Sequence, residues 1–308
     1  MAAERGEVND TDRDQFANEF GTLMARTDHL FEIADAECSQ ICEQVCPIIP
    51  GAEQQRRDWY LLPDGLLWRS YLAGPHEPRL STVIFNDQKQ GVFWDATLGG
   101  RVGLLRYGSA GALRPQGWQW DLEGAVMTRL DLLHAEDVES VDYRFGTEIT
   151  AAEGPWAMKF GYFHISSHVG DEYVIRNPAF ERINYVTESW VWGGSYSPNP
   201  SYRFYAEVAN AFRASGGARR YQFQTGAEYT PRAIDPRRGA PFAAVNLNFR
   251  QAVGHDVSTT IQLGWSFQSP QSGRRIRFGL QYGGGPTSQY EFFDRREELL
   301  GGGVWFDY

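Results

Sequence analysis

From residue 91 to the C-terminus, apolar and polar side chains alternate with a period of two in one segment after another. Only a β-strand places residues i, i+2 and i+4 on one face, so this rhythm commits most of the chain to strands. In segment 118–132, Trp118, Trp120, Leu122, Gly124, Val126, Thr128, Leu130 and Leu132 alternate with Gln119, Asp121, Glu123, Ala125, Met127, Arg129 and Asp131. Segment 138–150 sets Val141, Tyr143, Phe145 and Ile149 against Asp142, Arg144 and Glu148. Further segments around 92–105, 202–208, 221–229, 245–250, 257–268 and 275–282 repeat the scheme.

The segments run roughly 9–14 residues, longer than the usual five or six of a soluble strand and long enough to cross a bilayer at a tilt. One face is apolar with aromatics towards its ends, and the other carries charges of both signs. A soluble sandwich would bury its apolar face against a second sheet and keep its strands shorter. The interiors of these apolar faces hold no carboxylate, which is the pattern of a membrane barrel. A helical membrane protein is excluded, because mean hydropathy is −0.46 and no apolar run reaches about 18 residues. The net charge of −10 leaves no basic field to collect phosphates, so no nucleic-acid partner is expected.

Counting 79–86 as the first strand yields about twelve strands, an even number as bacterial barrels have. Short inner turns are expected at 151–154, 197–201 and 269–273, all of turn-forming composition. The inner turns 108–117 and 231–239 are longer, and the two longest connections, 169–182 and 284–300, fall on the outer side. The chain ends Gly303-Val304-Trp305-Phe306-Asp307-Tyr308, which resembles the C-terminal signal by which outer-membrane barrels are recognised for assembly. The expected partners are therefore outer-membrane lipid and the barrel assembly machinery. No apolar leader follows Met1-Ala-Ala-Glu-Arg, so the natural precursor is expected to carry an export signal that this sequence lacks.

Residues 1–57 read differently. Phe16, Phe20, Leu23 and Met24 recur at helical spacing behind Thr11-Asp-Arg-Asp, and 29–45 keeps the period up to Pro47. The expectation is an N-terminal helical, periplasmic segment preceding a barrel over 58–308. Cys38, Cys42 and Cys46 fall four apart on one helical face. No zinc quartet is completed nearby, and three small apolar residues on a packing seam are the reading favoured. Helical i, i+4 positions splay their Cβ vectors, which suits a disulfide badly.

Two strings carry a family resemblance: Leu62-Pro-Asp-Gly-Leu-Leu-Trp-Arg-Ser-Tyr-Leu-Ala-Gly-Pro-His-Glu-Pro-Arg79 and Gly161-Tyr-Phe-His-Ile-Ser-Ser-His-Val-Gly-Asp-Glu-Tyr173. Over roughly 58–308 the chain resembles a bacterial family catalogued as domain of unknown function 1207 (DUF1207), leaving the cysteine segment outside. The resemblance implies a membrane-barrel type without an established activity, and no catalytic residues come with it.

On residue chemistry alone, His164-Ile-Ser166-Ser-His168 is the most reactive string. His164, Ser166 and His168 share a strand face, and about ten residues from the strand's inner start they lie at the outer membrane surface. A Ser beside a His suits a nucleophile and its base, with Asn184 on the next strand to orient the imidazole. The arrangement is similar to that of outer-membrane phospholipase A, which sets a His-x-Ser on one strand and an Asn on the following one. Asp171, Glu172 and Glu181 in the adjoining loop are hard oxygen ligands suited to calcium.

The alternation leaves the direction of this face open. If Lys159 points inward the His–Ser face meets lipid; otherwise it faces the lumen. Glu188, read as an inward charge, places Asn184 with the lumen too, apart from His164 in the first case. The inward candidates Asp121, Glu123, Arg129, Asp142, Arg144, Glu148, Arg203, Glu207, Glu228 and Arg250 interleave both signs, which predicts a salt-bridged, filled lumen. The expectation is an all-β, closed antiparallel transmembrane barrel in the bacterial outer membrane. Its leading specific role is acyl hydrolysis of outer-leaflet lipid; the alternatives are a narrow solute channel and a non-catalytic structural or assembly barrel.

Overall fold

The computed structural model describes residues 57–308 apart from Ile234. The segment 1–56, with its expected helices and three cysteines, lies outside the described residues.

Thirteen strands follow one another: β1 (Asp58–Leu61), β2 (Leu80–Asp87), β3 (Gly91–Gly108), β4 (Gly117–Asp131), β5 (Asp137–Glu153), β6 (Trp156–Val169), β7 (Val186–Asn199), β8 (Tyr202–Ser215), β9 (Tyr221–Tyr229), β10 (Ala240–Arg250), β11 (Val257–Gln268), β12 (Arg275–Pro286) and β13 (Arg296–Asp307). A short helix α1 (Asp171–Arg176) sits between β6 and β7. Each strand from β2 to β13 pairs antiparallel with its sequence neighbours, and β13 pairs back onto β2, Phe306 opposite Leu80 and Leu299 opposite Asp87. The result is a closed wall of twelve strands, with no open edge for another chain to pair with. The expected count and the expected turns hold. The extra strand β1 runs beside the end of β3, Asp58 opposite Gly108, and the sequence reading did not anticipate it.

The polarity of the wall is inverted relative to a soluble protein. Leu98 is 68% exposed and Met158 65%, whereas Arg277 and Gln119 are fully buried. The apolar members of each alternating run point away from the barrel axis, and the polar members point inward, as an exterior in hydrocarbon requires. Aromatics collect near both ends of the exterior. Trp59 packs on Tyr107 and Trp118 at the end carrying the C-terminus, and Tyr162, Trp190 and Phe212 cluster towards the distal end.

Inside, the charges pair across the wall. Arg101 bridges Glu123 and Glu148 (2.7 Å to the latter), and Arg144 also reaches Glu123 at 2.7 Å. Lys159 bridges Glu148 (3.0 Å) and Glu207 (2.7 Å). Further round, Arg129 joins Asp95 to Glu297, and Arg277 binds Asp307 at 2.6 Å. The filled, salt-bridged lumen expected from the sequence is present.

Residues 62–79 fold back into the lumen. After β1 the chain turns inward through Leu62 and Gly65, both at positive φ. A Cβ on Gly65 would lie 2.5 Å from the Ala112 carbonyl oxygen, so only glycine fits this turn. Trp68, Tyr71, Leu72 and Ala73 are then buried within the barrel, with the Tyr71 ring stacked on Tyr205 at 3.8 Å. Tyr71 donates its hydroxyl to Glu207 (2.8 Å), and Leu72 donates its backbone N–H to Glu228 (2.9 Å). The segment reaches His76, which contacts Asp142 at 3.0 Å and packs on Tyr290 of the distal loop. It then returns through Arg79, whose guanidinium donates to the Leu72 carbonyl (2.8 Å), and enters β2. The family-resembling string 62–79 is thus an internal hairpin plug.

The distal mouth is covered as well. The loop between β12 and β13 folds inward, burying Tyr290, Glu291 and Phe292. Tyr290 stacks on Tyr185 of the β6–β7 connection, and Glu291 accepts the Ile183 N–H at 2.8 Å. Between the crest of the plug and this loop lies a cavity of about 90 Å³.

Candidate functional site

Strand β6 decides where the His–Ser string faces. Lys159, Phe163, Ile165, Ser167 and Val169 are buried inside, so Trp156, Met158, Phe160, Tyr162, His164, Ser166 and His168 line the exterior. Of the two directions open to the His–Ser face, the one observed meets lipid. A Lys159 already held by two carboxylates has no reason to leave the lumen.

The partner of His164 is not Asn184. In the β6–β7 register His164 stands directly opposite Glu188, and its Nδ1 lies 3.0 Å from Glu188 Oε1. The other oxygen of Glu188 accepts the Tyr162 hydroxyl. Two neighbours therefore fix the carboxylate, and it in turn fixes the imidazole. With Nδ1 engaged as the donor, Nε2 is the acceptor, and it has no partner among the described residues. Ser166, two residues on, shares the face, and its hydroxyl likewise has no partner among the described residues. His164 and Glu188 keep 31% and 18% of their side-chain surface exposed, enough to meet a ligand from the membrane side.

Reading Glu188 as an inward charge was an error. It faces outward with His164, and its lumen-facing neighbours are Thr187 and Ser189. Asn184 lies outside β7, exposed and at φ 50°, in the loop before the strand. The connection between β6 and β7 is long, and β7 begins only at Val186, so the residue that meets His164 lies within the strand and not in the loop that holds Asn184. Glu188 was findable only from the register. His168 is exposed on the same face, its ring 5.9 Å from Tyr143.

The three carboxylates considered for calcium do not come together. Asp171 and Glu172 open α1, and Asp171 accepts from Arg182 at 2.6 Å. Among the described residues, no group of three His, Cys, Asp or Glu side chains is placed to hold a metal ion. These residues do not fit the ion.

A model of one protein family matches residues 29–308. The chain belongs to the DUF1207 family. The family is described as a protein of unknown function, and its match takes in Cys38, Cys42 and Cys46, which the resemblance read from the sequence had left outside. No curated protein matches this DUF1207 chain in sequence. Among solved structures, it is similar to an active-site mutant of outer membrane phospholipase A from Escherichia coli. The TM-score is 0.51 at 10% identity, covering 82% of this chain and 94% of that one. The Salmonella typhi outer membrane phospholipase dimer with bound calcium matches with a TM-score of 0.50 at 12% identity, covering 74% and 91%. A KdgM porin matches with a TM-score of 0.41 at 9% identity, covering 73% and 98%. At the identities of the two phospholipases the likeness concerns the fold alone, and that fold is an outer-membrane barrel.

Proposed function

We propose that this DUF1207 protein is an outer-membrane acyl hydrolase that cleaves lipid esters at the exterior of its own wall. Ser166 is the nucleophile, His164 the general base, and Glu188 the residue that orients and charge-stabilises the imidazole. The observation that carries this reading is the 3.0 Å contact between His164 Nδ1 and Glu188 Oε1 on the lipid-facing side of β6 and β7. With the terminal end of the barrel in the periplasm, the distal end where these residues lie is level with the outer leaflet. A lipid there reaches Ser166 by lateral diffusion.

In the first half-reaction His164 Nε2 takes the Ser166 proton as Oγ attacks the ester carbonyl. The imidazolium then gives that proton to the departing alcohol, leaving an acyl-Ser166 ester. In the second half-reaction water attacks the acyl carbonyl, losing its proton to His164, which returns it to Ser166 Oγ as fatty acid leaves. Carboxylates serve this role on several unrelated hydrolase folds, because a fixed anion at Nδ1 selects the useful tautomer. The His-x-Ser arrangement resembles that of outer membrane phospholipase A. The acid partner here is a different residue type.

The test is fatty-acid release from phospholipid in mixed micelles by the purified full chain, beside Ser166→Ala. Release that disappears in the variant supports the assignment. Release that persists unchanged removes the site, and an inactive wild-type protein leaves the plugged, non-catalytic barrel as the reading that stands.

A further inference from the structure

The opposite mouth of the barrel, at the end carrying the C-terminus, opens into a cavity of about 470 Å³. That volume lies within the range of small-molecule sites. Arg69 of the plug, Arg114 of the β3–β4 connection, Arg203 of β8, Arg232 of the β9–β10 connection and Arg275 of β12 all line it. No Asp or Glu does. This contrasts with the lumen above, where Arg101, Arg129, Arg144 and Lys159 each sit against two carboxylates or share one.

Two of these guanidiniums are buried and incompletely bonded. Arg203 is 4% exposed, its nearest carboxylate is Glu228 at 3.6 Å, and neither of its terminal nitrogens makes a hydrogen bond among the described residues. Arg275 is 8% exposed; it reaches Gln268 Oε1 at 3.3 Å, while its Nε has no partner. A buried donor left without an acceptor costs about 1–3 kcal/mol, and more when it is charged, so such groups are expected to find a partner. Burial, reinforced by the neighbouring Arg203 and Arg275, lowers the Arg69 guanidinium to about 9. The mouth thus concentrates positive charge in a chain whose overall charge is −10.

The geometry points to a binding site for a phosphate monoester in this mouth, held by Arg69, Arg203 and Arg275 from inside and by Arg114 and Arg232 from the rim. A dianionic phosphate offers three oxygens to converging guanidinium forks, and planar bidentate pairing is the strongest contact an arginine makes. Ser195, Ser201 and Thr230 on the same wall supply hydroxyl donors beside the arginines. The chemistry is the same whether the phosphate belongs to a soluble ester or to a phosphatidic-acid headgroup. The site lies at the other end of the barrel from Ser166 and does not depend on the hydrolase reading.

Calorimetric titration of the purified full chain in a zwitterionic detergent tests it. The probes are glycerol 3-phosphate, short-chain phosphatidic acid and succinate. Saturable binding is expected for one or both phosphate probes, weakening as NaCl is raised. The double variant Arg69→Gln/Arg232→Gln is expected to weaken that binding by about tenfold or more while circular dichroism stays unchanged. Glycerol 3-phosphate binding assigns a soluble ester; binding of phosphatidic acid alone assigns a lipid headgroup. The proposal is overturned by three results: no saturable heat with either phosphate probe, equal affinity for succinate, or a folded double variant that binds as the wild type does.

Discussion

His164 Nδ1 and Glu188 Oε1 meet at 3.0 Å between two residues that face each other in the β6–β7 ladder. The contact is made on the hydrocarbon side of the wall, where an unpaired carboxylate would be costly. Tyr162 closes the other side of the carboxylate, so the group is bonded at both oxygens.

The first prediction separates Glu188 from Asn184. Glu188→Gln keeps the size of the side chain and removes its charge, and ester hydrolysis should fall by about 10²–10⁴-fold. Asn184→Ala changes an exposed loop residue and should leave hydrolysis within twofold of the wild type. Initial rates of fatty-acid release from mixed micelles measure both; a larger loss in Asn184→Ala would restore the assignment made from the sequence.

Among the described residues, Lys159 is the only cation bonded to Glu207 and one of two bonded to Glu148. Lys159→Met leaves two buried carboxylates short of a partner and should lower unfolding stability by about 3–5 kcal/mol. Urea unfolding in lipid vesicles, followed by tryptophan fluorescence, checks the loss.

The plug predicts electrical silence. Planar bilayers containing the wild-type protein should show no discrete conductance steps, since the crest of the plug and the distal loop leave a cavity of about 90 Å³ between them. Trp68→Ala with Tyr71→Ala removes the two fully buried rings of the hairpin and should produce steps. Wild-type conductance of the same size as the variant's would show that the plug does not block the lumen.

Leu98 supplies a test of the exterior. On a water-exposed wall, Leu98→Arg would change stability by only a few tenths of a kcal/mol. On a lipid-exposed wall the same change should cost up to about 2–4 kcal/mol near the midplane. Vesicle unfolding titrations of the two proteins give the difference directly.

Much of this architecture was legible before any coordinates. The alternation in 118–132 and 138–150 carries both strand identity and face, because a membrane barrel leaves each residue only two environments. The turns at 197–201 and 269–273 announce themselves by Pro, Ser and Gly. The hairpin 62–79 did not, for it has neither the two-residue nor the helical period, and what holds Trp68 and Tyr71 comes from Lys159, Arg203 and Tyr205, far along the chain. Glu188 was missed for a related reason. Which residue of β7 meets His164 depends on how the long connection 170–185 is laid out, and that is a tertiary matter.

The hairpin also gives the seam of the wall a second load. Its crest meets Asp142 and Tyr290, and its two ends run directly into β1 and β2. Since β2 is both the first stave of the cylinder and the return arm of the strap, its pairing with β13 fixes at once the closure of the sheet and the point from which the strap hangs.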